Sequence, residues 1–215
     1  EGGGIACWDG GLNTYTLSIT DNSSASSGGG MIIHNSTASL SYTNPIGNNG
    51  GDGAGLKISQ SDVKMGNSYI GGNQSTGAAG GIYVHDSGVD FETLHVYANS
   101  ADAAAGIICN NQSNMILAYS EIRDNSANCD GGGFNISNTS TAIITNSTIN
   151  NNSAGCNGGG VRSDDASKLT LANVTMSGNS ANGYGDGIFT MRDNHVKLFN
   201  TIIWGSADQD IYLDN

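Results

Sequence analysis

The chain has 215 residues, 33 of them Gly, with 12% charged and 37% hydrophobic residues. Its formal net charge of −12 supplies no basic stripe to neutralise phosphates, which argues against nucleic acid or an anionic membrane surface as a partner. No apolar run reaches the ~18 residues of a membrane-spanning helix, so no membrane insertion is expected.

The chain opens on Gly2-Gly3-Gly4, and an apolar residue, Ile5, follows. That arrangement returns throughout, with the last glycine of each cluster at Gly4, Gly30, Gly55, Gly81, Gly106, Gly133, Gly160 and Gly187. A fixed period of this kind marks one supersecondary unit repeated along a solenoid. The residue after the glycine is Ile5, Met31, Leu56, Ile82, Ile107, Phe134, Val161 or Ile188, and the one two places later is often apolar too. Apolar, variable, apolar is the period of a strand with one buried face. A second strand follows in each unit, clearest at Val89 and Phe91, Met115 and Leu117, Leu169 and Leu171. A third carries Ile19, Ile46, Ile70, Val96, Ile122, Ile149 or Met176 three residues before an Asn. These asparagines are read as Asn22, Asn49, Asn73, Asn99, Asn125, Asn152 and Asn179, placed to stack at a turn where their amides hydrogen-bond along the rod. Nowhere do apolar residues recur at three- and four-residue spacing, so no helix is expected.

The fold class predicted is all-β: a right-handed parallel β-solenoid (β-helix) of about eight coils of 24–27 residues with three short strands per coil. Residues 1–215 form a single domain. The start at Glu1 rather than Met predicts a segment processed from, or part of, a longer extracellular protein. Richness in Asn, Ser, Thr and Gly with few Lys points the same way.

Ile122-Arg-Asp-Asn-Ser-Ala127 with Gly131 to Phe134 resembles the repeat of chlamydial-type polymorphic outer membrane proteins, and so do the stretches from Ile149 to Val161 and from Met176 to Ile188. That repeat has Phe where this chain has Ile, Val or Met, so the likeness extends to the broader set of bacterial and archaeal surface right-handed parallel β-helix proteins. The resemblance implies secretion, display at the cell surface and adhesion, and it carries no catalytic residues.

Cys129 and Cys156 share one phase in adjacent coils, ~5 Å apart, and are expected to form a disulfide. Cys7 and Cys109 lie four coils apart and are expected to stay free, as small inward hydrophobes. No His falls in phase with the first pair, so no metal site is expected there. Calcium is considered at Gly50-Gly51-Asp52-Gly53, a single fragment of a calcium-binding repeat. The chain is read as carrying no catalytic set. Were it an enzyme, Glu121, His95 and Arg123 would form it, stacked in two adjacent coils, although opposite charges across strands also serve structure alone. Ile32, Tyr83, Ile108 and Phe189 occupy the outward position of the first strand and are expected to form an apolar contact stripe.

The function expected is a non-catalytic extracellular structural or adhesive module with a glycan or cell-surface ligand as partner. Ile211-Tyr212-Leu213 begins a ninth coil, and neither end shows a cap, so self-association end to end is expected. The alternative is a carbohydrate-active enzyme or a carbohydrate-binding β-helix.

Overall fold

The computed structural model describes residues 2–205 and 209–214. All strand pairs in it are parallel and join each coil to the next. The first sheet has nine strands, running from Ile5–Trp8 to Ile211–Leu213. The second has twelve. In the first four coils the expected second and third strands are one bent strand of ten residues, such as Gly11–Thr20 and Gly88–Tyr97. Later coils divide it, as at Asn114–Ala118 and Glu121–Arg123. A third sheet of six two-residue strands, from Asn49–Gly50 to Ser180–Ala181, was not expected from the sequence.

Register is exact from coil to coil. Ile107 pairs with Ile82 on one side and with Phe134 on the other. Equal positions therefore stack, and one continuous core runs along the axis through residues such as Ile58, Val84, Phe91, Leu117, Ile136 and Leu171. Fully burying one such side chain stabilises by about 1.5–3 kcal/mol. A single coil cannot do this for itself, so stability comes from its neighbours.

The corners decide much of the sequence. Where the chain bends, residues adopt positive φ in phase. Thr16, Tyr42, Asn67, Thr93, Tyr119, Asn146, Asn173 and Asn200 do so in the middle of the second sheet. A bend interrupts the regular ladder, and buried side chains take over the pairing. At the corner between the first and second sheets, Ser36, Ser61, Ser87 and Ser113 each donate their N–H to the serine hydroxyl of the next coil, at 3.0–3.2 Å. At the bend within the second sheet the Ser68, Ser120 and Ser147 hydroxyls accept the N–H of Thr43, Leu94 and Ser120, each at 3.0 Å. At the third corner each Asn Oδ1 accepts the N–H and the Nδ2 of the preceding Asn, as Asn125 does from Asn99 at 3.0 and 2.9 Å. In the second coil the ladder uses Asn48, not Asn49, and the inward residue before it is Pro45, paired with Ile19, rather than Ile46. The sequence reading of that coil was displaced by one residue. The phased glycines answer to crowding: a Cβ on Gly106 would lie 2.2 Å from the Gly133 carbonyl oxygen.

The apolar stripe expected on the first sheet is not exposed. Ile32, Ile108 and Phe189 are only 4%, 5% and 4% accessible, and Tyr83 is half-buried. In the middle coils an alanine-rich turn folds back over this face. Ala79, Ala104 and Ile108 make a second small core there, with Ala78 and Tyr83 packed against it.

Candidate functional site

A group of exposed aromatic residues lies elsewhere, on the outer side of the second sheet. Tyr15, Tyr42, Tyr69 and Tyr119 are all exposed, and with Tyr97 they put one tyrosine in each of five successive coils. They span five coils, ~19 Å at ~4.8 Å per coil, and spread across the sheet: Tyr42 and Tyr119 stand at the bend, Tyr15 one residue before it, and Tyr69 and Tyr97 two and four residues after it. Two of them touch, the Tyr15 and Tyr42 rings meeting edge to face at 5.5 Å, while Tyr69 stacks on His95 at 4.7 Å. The Arg123 guanidinium sits over the Tyr97 ring at 5.0 Å. Sequence reasoning missed this group because Tyr42 and Tyr119 stand at the bend itself, outside the in-out alternation of a strand. Their common period, shared with Thr16, Asn67 and Thr93, was the available signal.

The three residues singled out for chemistry do meet beside these tyrosines. His95 Nδ1 and Arg123 Nε each lie 3.2 Å from Glu121 Oε2, and Arg123 also pairs with Asp124 at 2.6 Å. Asp124, chiefly, raises the affinity of the Arg123 guanidinium for its proton. Glu121 is thus held between two basic groups on a surface about one-third exposed. Such a set orders the side chains and contributes little to stability. On the same sheet a groove of about 750 Å³ crosses several coils, lined by Asp62, Lys64, Asp90, Ile116 and Ile143 among others. Asp62 faces Gly88 across the ladder and Asp90 faces Lys64, so two carboxylates from adjacent coils enter one groove.

Cys129 and Cys156 are brought together as expected, but as free thiols, with Sγ atoms 3.0 Å apart. The Cys156 N–H donates to the Cys129 carbonyl at 2.9 Å, which fixes their stacking. Asp130 completes the group, its Oδ2 lying 3.5 Å from the Cys129 sulfur. The hydrogen bond from Cys156, burial and the Asp130 charge push the Cys129 thiol up to about 12. Cys7 is half-buried, and Cys109 is buried in the core, where desolvation pushes its thiol up to about 12. Asp52, the carboxylate considered for calcium, accepts the Ala78 N–H at 3.0 Å and lies 3.5 Å from the Lys57 amine.

Comparison with known families matches residues 105–215, just over half of the chain, to the right-handed β-helix region. The chain belongs to that family. Comparisons with curated proteins and with solved structures give no match. The β-helix family accounts for the parallel coils and their core; the finer likeness to the chlamydial-type repeat rests on the sequence motifs alone.

Proposed function

We propose that this β-helix is a non-catalytic extracellular module, a rod that contributes length and presents the tyrosine-bearing outer side of its second sheet as its contact surface. The five tyrosines on that side are the observation that carries the reading. Tyrosine offers a large, stiff, amphipathic surface at small entropic cost and is enriched where proteins meet partners. Five in successive coils of a chain with only eight tyrosines concentrate that chemistry on one face. Surface display agrees with the Asn-, Ser- and Thr-rich composition and with the resemblance to surface β-helix proteins. The last strands supply a second contact: Leu198 and Leu213, on core-facing positions, are 40% and 61% exposed, with Phe199 and Trp204 exposed beside them. A further coil laid on them, from the same protein or from another copy, would extend every ladder and bury these residues, as end-to-end assembly requires.

A second reading, a carbohydrate-binding β-helix, is favoured by the groove that runs along the same sheet as the tyrosines. Its polar groups Asp62, Lys64 and Asp90 are followed in the next coils by apolar Ile116 and Ile143, the mixture a ring-bearing polar ligand needs.

The test is binding of the purified protein to cell surfaces and to a panel of polysaccharides, with Tyr42→Ala/Tyr69→Ala/Tyr119→Ala as the comparison. The contact reading expects binding that falls at least tenfold in the triple variant without loss of fold. Turnover of a polysaccharide that disappears in Glu121→Gln or Asp90→Asn would replace it with an enzyme. Light scattering and electron microscopy at high concentration test assembly, and a strict monomer without filaments defeats that part.

A further inference from the structure

The group formed by Cys129, Asp130 and Cys156 has chemistry that the contact reading does not use. Their donor atoms all lie within 4.8 Å of one another, and each residue is half-buried, so an ion could reach them. We propose that these three residues bind one thiophilic divalent cation of the Zn2+ class, through two thiolates and one carboxylate, clipping two successive coils together.

The geometry comes close to what such an ion requires. With Zn–S near 2.3 Å and Zn–O near 2.0 Å, a tetrahedral site has an S···O edge of ~3.5 Å and an S···S edge of ~3.8 Å. The Cys129 sulfur already stands 3.5 Å from Asp130 Oδ2. The two sulfurs, 3.0 Å apart, need to separate by ~0.8 Å, which side-chain rotation provides with the backbone fixed. The fourth position faces solvent and takes water. Sequence reasoning set a metal aside because no His falls in phase; Asp130, next in sequence to Cys129, supplies the third donor instead.

The surroundings hold the carboxylate in place. Asp130 Oδ1 accepts the N–H and the Nδ2 of Asn157 at 2.9 and 3.2 Å. Its Oδ2 accepts Nη1 of Arg162 at 2.7 Å, and Arg162 is anchored in turn on Asp164 at 2.6 Å. Groups that orient a ligand in this way are a usual part of metal sites. They also keep the charge near balance: two thiolates and one carboxylate, against a divalent ion and one guanidinium. Binding replaces two S–H bonds by two S–metal bonds and releases two protons to solvent, with no change of oxidation state.

The experiment uses the whole protein, reduced and transferred without oxygen into metal-free buffer, with its thiols counted. Cd2+ is added as the spectroscopic probe and Zn2+ as competitor. One equivalent of Cd2+ should give a saturable thiolate-to-metal charge-transfer band that Zn2+ displaces. Cys129→Ser and Cys156→Ser should abolish the band, while Cys7→Ser leaves it unchanged. Asp130→Asn should weaken binding at least tenfold. X-ray absorption of the loaded wild-type protein should find two sulfur neighbours and oxygen, independently of how that variant folds. The proposal fails if no stoichiometric band forms, or if the band survives in the Cys129→Ser and Cys156→Ser proteins. It fails equally if the metal shell lacks oxygen, or if reduction never exposes more than two thiols.

Discussion

Replacing Asn125 with Ala tests whether the buried asparagine column holds the coils together or merely fills a turn. Asn125 accepts from the N–H and Nδ2 of Asn99, and its own Nδ2 donates to the Val96 carbonyl at 3.1 Å and to Asn152 Oδ1 at 2.9 Å. Alanine removes all of these. Asn99 keeps its side-chain bond to the Ile70 carbonyl, but its backbone N–H, inside the protein, loses the acceptor it had. An orphaned buried donor costs about 1–3 kcal/mol, and each further lost bond about 0.5–1.5 kcal/mol. The expected loss is about 4 kcal/mol, which lowers the melting temperature of a chain this size by roughly 8–16 °C. Asn22 is the control. It is half-buried at the start of the column and donates to Thr20 and Asn48. Asn22→Ala should cost about 1 kcal/mol. Thermal melts and urea unfolding of both variants beside wild type give the comparison. Because neighbours share bonds, Asn99→Ala/Asn125→Ala should cost less than the two single changes together. Equal effects of Asn22→Ala and Asn125→Ala would refute the account.

Thr93 holds φ of 56° at a bend where matched coils carry Asn67, Asn146 and Asn173. Thr93→Asn should stabilise by about 1 kcal/mol, seen as a higher melting temperature, because Asn tolerates this conformation and a β-branched residue does not. Gly106→Ala places a methyl group 2.2 Å from the Gly133 oxygen and should cost about 3 kcal/mol or more by urea unfolding. Glu121→Gln breaks only a surface set and should change stability by less than about 1 kcal/mol. Oxidation without metal should join Cys129 to Cys156 and leave Cys7 and Cys109 as the two alkylatable thiols found by mass spectrometry; bound Zn2+ should retard that closure.

The repeat was legible because coils stack in register, so any residue type demanded by one coil is demanded again about 26 residues on. Glycines at points of closest backbone approach and the inward Ile and Val columns fell out of that period directly. What a single period could not supply was the third dimension outside the core. Ile32 and Phe189 read as outward and therefore exposed, yet outward on the first sheet means beneath a returning turn. Tyr42 and Tyr119 drew no reading from the sequence, yet the bend at positive φ turns them to solvent. The serine column from Ser36 to Ser113 had the same period as the asparagines and passed unnoticed, since serine is common throughout this chain. The meeting of Glu121, His95 and Arg123 was foreseen because adjacent-coil register alone decides it. The approach of Asp130 to the thiols was not, because it depends on a turn held by Asn157 and Arg162.

The three corner columns also bear on what the rod can be used for. In a flat sheet, coils pair through backbone groups alone, and any one strand can slip relative to the next. Here Ser87, Asn99 and Ser120 enter the turns of the coil before them and satisfy donors that only the correct register presents. Slippage by one residue would orphan these donors at every corner as well as turning the core outward. The register is therefore specified twice, by apolar stacking inside and by buried polar acceptors at the bends. Side chains that meet across coils on the surface, such as Tyr15 with Tyr42 and Tyr69 with His95, keep their places because of this. In the function proposed above, the contact face depends on the buried corners: the corners hold each coil in register with the next, and that register holds the exposed tyrosines in their relative places.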